Sequence, residues 1–122
     1  MQEGEGLELK KSVSNYNDLG QCVCAFANTA GGRLVIGVGD RREIVGVEDP
    51  LAEEERLCNL IADSISPKLV PNVELTTVEG KTLFIVEVFL SGTRPHFLCA
   101  EGFESGVYVR LGSTNRQADR EN

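Results

Sequence analysis

Three carboxylates are the residues of this chain best placed to do chemistry: Glu3 and Glu8 near its start, and Asp40 at the end of the apolar run LVIGVGD. Side chains five apart point to opposite faces of a straight strand. Gly4 and Gly6 let that segment bend, so that Glu3 and Glu8 aim at one point. Convergent carboxylates make a hard-oxygen site suited to Mg2+ or Mn2+, which activates water and stabilises a departing phosphate oxygen. Without the metal such a cluster repels itself, so at least one carboxyl should titrate above its ordinary range. The plain alternative is three solvated acids with no common task, Glu3 fraying with the chain end.

A second group is VRLGSTNRQ at 109–117. Arg110 and Arg116, with Ser113, Thr114 and Asn115 between them, read as donors at the start of a helix, which is a ready anion site. Together with Lys10 and Lys11 they predict a face that contacts nucleic-acid phosphates. The competing reading is simple helix capping by Ser113 or Thr114.

Other chemistries fail on the residues. GVGDRR at 37–42 has Arg42 where a dinucleotide loop needs its third glycine, and a strand rather than a helix follows. No GxxxxGK[ST] occurs, so no ATP site is expected. His96 is the lone histidine, beside Pro95 in a short strand, and reads as an ordinary strand residue. Cys22, Cys24, Cys58 and Cys99 lack zinc-knuckle spacing and read as small buried hydrophobes.

These residues need a scaffold. At 122 residues and 41% hydrophobic content, the chain has the length and composition of one globular domain spanning 1–122. It has no apolar run long enough for a membrane span and no apolar leader, which predicts a soluble cytoplasmic domain with no membrane contact. The net charge is −7, yet residues 43–63 hold seven acids and only Arg56 as a base. The acidity is local, and a basic face elsewhere is compatible with it.

Leu7 and Leu9 alternate with Glu8 and Lys10 as a half-buried strand. Leu19, Cys22, Val23, Phe26 and Ala30 recur at helical spacing, and Gly31-Gly32 ends that helix. RLVIGV at 33–38 reads as a central strand, with EIVGVE at 43–48 returning as a hairpin. Asp49-Pro50 caps a second helix striped by Leu57, Leu60, Ile61 and Ile65. NVELTTVEGKTLFIVEVFL reads as a hairpin turning at Glu79-Gly80; HFLCAE is a further short strand, and GVYVRLG closes the sheet. The order β-α-β-β-α-β-β-β-β gives an α+β class: two helices packed on a mainly antiparallel sheet.

LELK at 7–10, AFANTAGGRLVIGVGD at 25–40, IVGVED at 44–49 and VYVRLGSTN at 107–115 resemble the Schlafen AlbA-type domain. That resemblance implies a fold related to the chromatin protein Alba and a DNA- or RNA-binding module of transcription regulators. It also implies the N-terminal part of a longer protein, whose regulatory C-terminal region would follow. In ribonucleolytic members, two glutamates with four residues between them and an aspartate after the glycine-rich strand form a metal-dependent site that cleaves structured RNA such as tRNA. The matching positions are Glu3, Glu8 and Asp40, with Gly39 departing from a position that is often acidic. Those nucleases clamp RNA between two such domains, so a single copy would act as a homodimer. Three readings follow: a nucleic-acid-binding module, a metal-dependent endoribonuclease, and an effector-sensing or dimerisation domain.

Overall fold

The computed structural model describes residues 4–118. Leu7–Lys10 forms the short strand β1. Helix α1, Tyr16–Thr29, starts where the Asn15 side chain accepts from the Asp18 amide. Its apolar stripe, including Leu19, Cys22, Val23 and Phe26, is fully buried. The helix ends against strand β2, Gly32–Ile36, through two glycines that each have a separate reason. Gly31 takes φ +73, and a Cβ there would meet the Val88 carbonyl at 2.7 Å. A Cβ on Gly32 would strike the Phe26 ring at 2.6 Å.

Helix α2, Pro50–Ser64, is capped by Asp49, whose carboxylate accepts from the Ala52 amide. Strands β3 (Ile65–Ser66), β4 (Asn72–Val78), β5 (Lys81–Val88) and β6 (Phe97–Leu98) follow, then a single helical turn α3 (Gly102–Ser105) and strands β7 (Tyr108–Leu111) and β8 (Thr114–Gln117). The class is α+β. The main sheet runs β1-β2-β5-β4, parallel at β1–β2 and antiparallel elsewhere. Leu34, Ile36, Phe84 and Val86 pack beneath α1 and α2 in the principal core. Val35, Val38 and Leu83 form a smaller cluster on the other face, partly covered by Leu7, Leu9, Ile44 and Val78. Among the described residues no helix is long and apolar enough to cross a membrane.

Five expectations need correction. Residues 43–48 do not return as a strand: only Val38 and Ile44 bridge. The Gly37 carbonyl accepts from both Val45 and Gly46, and the Val47 amide bonds Thr82 instead, so this segment crosses toward β5. HFLCAE contributes only Phe97–Leu98, paired with β3 outside the main sheet. Tyr108–Leu111 does not close the main sheet but pairs with β8, a strand where the spacing predicts a helix start. Finally, Cys22 and Cys24 are buried, with burial pushing the Cys24 thiol up to about 12, but Cys58 and Cys99 are exposed.

Ile36 has no exposed surface and packs in the principal core from a central strand. Truncating it to alanine removes apolar contact and leaves a cavity, so Ile36→Ala should cost about 2–5 kcal/mol in denaturant unfolding.

Candidate nucleic-acid interface

The strand β1 alternation sends Leu7 and Leu9 to the smaller cluster and Glu8 to the helix-covered face, where Glu8 is 4% exposed. Arg110, on β7, meets it there. The Arg110 Nη1 donates to Glu8 Oε1 and, at 2.8 Å, to Asn115 Oδ1. Its Nη2 donates to the Gly4 carbonyl at 2.6 Å and the Leu7 carbonyl at 3.0 Å. The guanidinium lies 4.9 Å from the centroid of the Phe26 ring, a cation–π contact. Its Nε is buried without a hydrogen-bond partner among the described residues. Lys10 Nζ takes the other oxygen of Glu8 at 2.8 Å and also pairs with Asp18.

Burial by itself would raise the Glu8 pKa, but the hydrogen bonds from Lys10 and Arg110 outweigh it and hold the carboxyl below its ordinary value of 4.5. Burial likewise works against the Lys10 charge, and the Asp18 and Glu8 carboxylates more than offset it, so its pKa is raised. A self-repelling carboxylate cluster would shift Glu8 the other way. Two cations, one on each carboxylate oxygen, make Glu8 an ion-paired glutamate.

The predicted site residues therefore separate. Arg110, 2% exposed, is an interior residue and does not present its guanidinium to phosphate. Asn115 is half-buried beside it, its Nδ2 3.3 Å from Glu8 Oε1. Lys10 is committed to two carboxylates. Lys11 lines a groove with Tyr16, Glu48, Asp49 and Glu53, beside the acidic segment rather than opposite it. Asp40 is exposed in the turn past β2, where Gly39 and Glu43 pair through their backbones. Glu3 lies outside the described residues. Ser113, Thr114 and Arg116 are exposed together on the β7–β8 hairpin, with Arg116 Nε reaching Thr114 Oγ1 at 3.4 Å.

Two polar residues missed by periodicity hold that hairpin in place. Thr29 Oγ1 accepts from the Arg110 amide at 2.8 Å. Asn28 Nδ2 donates to the carbonyls of His96 and Tyr108, both at 2.9 Å, and its Oδ1 accepts from the His96 amide. The available signal was polarity: Asn28-Thr29 interrupts an otherwise apolar helix end. His96 is fully buried; its Nδ1 donates to the Pro67 carbonyl, leaving Nε2 to accept from the Ser91 hydroxyl at 2.6 Å.

A four-stranded sheet under two helices, with a separate hairpin pinned to the first strand by a buried arginine, defines an α+β domain. Residues 3–119 match the Schlafen AlbA_2 family, and the chain belongs to it. Its structure is similar to the N-terminal domain of a RecG-related protein from Nitrosomonas europaea, with TM-score 0.71 and 28% identity over 97% of this chain and 86% of that one. It is also similar to the DIP2311 protein from Corynebacterium diphtheriae, with TM-score 0.71 and 22% identity over 95% of this chain but 22% of that one. The second likeness is one of fold.

Glu8→Gln would leave the Arg110 guanidinium buried without a counter-charge, so it should destabilise the domain by about 3–5 kcal/mol. The sign of the pH dependence follows from the lowered Glu8 pKa. The pair's contribution is complete above pH 4.5, the ordinary value, and is lost as pH falls below it through the folded-state pKa. Denaturant unfolding from pH 7 to pH 3 should show that loss in the wild type and a smaller one in Glu8→Gln.

Proposed function

We propose that this domain is a nucleic-acid-binding module that contacts the phosphate backbone through the tip of the β7–β8 hairpin. The observation that carries the reading is the joint exposure of Ser113, Thr114 and Arg116 on a hairpin whose underside is fixed by Arg110. The Thr114 hydroxyl is spent on the Leu111 carbonyl at 2.8 Å, but the Ser113 hydroxyl and the Arg116 guanidinium on a braced support suit phosphate oxygens, which position a protein on nucleic acid without reading its sequence. The match, over most of both chains, to the N-terminal domain of a protein described as related to the ATP-dependent DNA helicase RecG supports a role beside DNA. Within a longer protein, such a module would serve a transcriptional regulator.

The metal-dependent nuclease reading has less support. A divalent cation needs free carboxylate oxygens, and both oxygens of Glu8 are held by Arg110 and Lys10. Among the described residues no group of three or more His, Cys, Asp or Glu side chains is arranged to hold a metal ion. Glu8 does not fit as a ligand in this arrangement.

Fluorescence anisotropy with duplex DNA and with tRNA, across a salt series, tests the binding face. Arg116→Ala should weaken binding and reduce the salt slope by about one unit, the signature of one lost phosphate contact. Unchanged affinity and slope in Arg116→Ala would remove the hairpin from the interface. Incubation of tRNA with Mn2+ should give no more cleavage than with EDTA. Mn2+-dependent cleavage that disappears in Asp40→Asn would overturn the non-catalytic reading.

A further inference from the structure

The two edges of the main sheet are treated differently. At the β1 edge the Leu7 carbonyl accepts from Arg110, and Gly4 bridges back onto Leu7. Strand β4 forms the opposite edge, and its seven residues, NVELTTV, carry one charge, Glu74, and no lysine, arginine or proline. Those are the residues that commonly blunt an exposed edge. No backbone hydrogen bond links β4 to any described element other than β5.

The turn shows which groups face outward. Glu79 and Gly80 have φ of 53° and 77°, the two positive values of a two-residue type I′ turn. Such a turn is closed by a hydrogen-bonded pair, here Val78 and Lys81. Alternation then directs the N–H and C=O groups of Val73, Leu75 and Thr77 away from β5. The neighbouring strand agrees: the Thr82 carbonyl, one residue past Lys81, faces away from β4 and accepts from the Val47 amide at 2.9 Å.

We propose that β4 pairs antiparallel with β4 of a second copy of this chain, making one continuous sheet across a two-fold axis. The inference is independent of nucleic-acid binding. The axis stands perpendicular to the sheet, so it passes beside one residue that faces its own copy. Centring on Glu74 sets two carboxylates face to face, which is unfavourable. Centring on Thr76 slides Asn72 past the end of the partner strand, onto Gly80 in the turn. Centring on Leu75 pairs all seven residues and sets Glu74 against Thr76 and Asn72 against Val78. It also packs Leu75, 42% exposed, against its copy. In that register Val73 faces Thr77, and each outward-pointing pair exchanges two N–H···O bonds. This register matches the outward hydrogen-bonding groups and keeps Glu74 away from its own copy.

Sedimentation velocity of the domain over a concentration series tests this, with circular dichroism confirming the fold of each variant. The wild type should show a reversible monomer–dimer equilibrium. Thr76→Glu places a carboxylate opposite Glu74 of the second copy twice per dimer, and should weaken association roughly tenfold. Adding Glu74→Lys to that variant turns both contacts into opposite-charge pairs and should restore the dimer. Thr76→Lys alone sets a cation against Glu74 and should strengthen it. A wild type that stays monomeric throughout, or a dimer indifferent to all three variants, overturns the proposal. So does a monomer that pairs β4 only with a strand from a different protein.

Discussion

A buried arginine decides the arrangement of this domain. Arg110 reaches from the C-terminal hairpin across the end of α1 to the first strand, where its planar fork bonds a carboxylate, an amide and two carbonyls while its face lies over Phe26. Lysine could supply the charge but not the fork or the stacking surface. The hairpin shares no ladder with the main sheet, so its position rests on this arginine, on the Asn28 and Thr29 side chains, and on Tyr108, which is buried in the principal core and donates to Glu101. Glu8 in turn stays ionised in a nearly dry site because two cations surround it. A buried pair of this kind adds little net stability over a well-packed apolar substitute, while loss of one partner is costly. Its contribution here is to tie β7 to β1, two strands that share no ladder.

The same pair changes what the carboxylates can do. Glu8, met first as a candidate ligand, is already neutralised from both sides, and Asp40 sits apart in an exposed turn. The groove where Lys11 lies also holds Glu48, Asp49 and the ion-paired Glu53 and Arg56, so a polyanion approaching there meets carboxylates as well as cations. The hairpin tip is separate from that groove. Binding at the tip fits a chain with a strongly negative total charge because the negative charge is concentrated elsewhere.

Much of the fold is legible in the residues. The helices are readable because helical spacing, the Asn15 and Asp49 caps and Gly31 agree with one another. The 72–88 hairpin is readable because Glu79-Gly80 can hardly be anything but its turn. Residues 43–48 mislead because their alternating pattern resembles a strand, although their hydrogen bonds go to Gly37 and Thr82. Ser113, Thr114 and Asn115 mislead for a chemical reason: the side chains that cap helices also serve tight turns. Arg110 is harder, since its partner is 102 residues away. The clue is that Arg110 shares a strand face with Tyr108, which is buried.

The separation between Glu8 and Arg110 has a bearing on how the chain reaches its fold during synthesis. A contact spanning 102 residues closes nearly the entire domain into one loop, so it forms only after β7 has left the ribosome. Until then β1 has Lys10 beside its glutamate but lacks the guanidinium that bonds the Gly4 and Leu7 carbonyls. Strand β1 can pair with β2 as soon as both are made, yet its buried glutamate and its Gly4 and Leu7 carbonyls wait for the guanidinium. What the β7–β8 hairpin brings to β1 is a counter-charge and hydrogen-bond donors, not its place in the sheet.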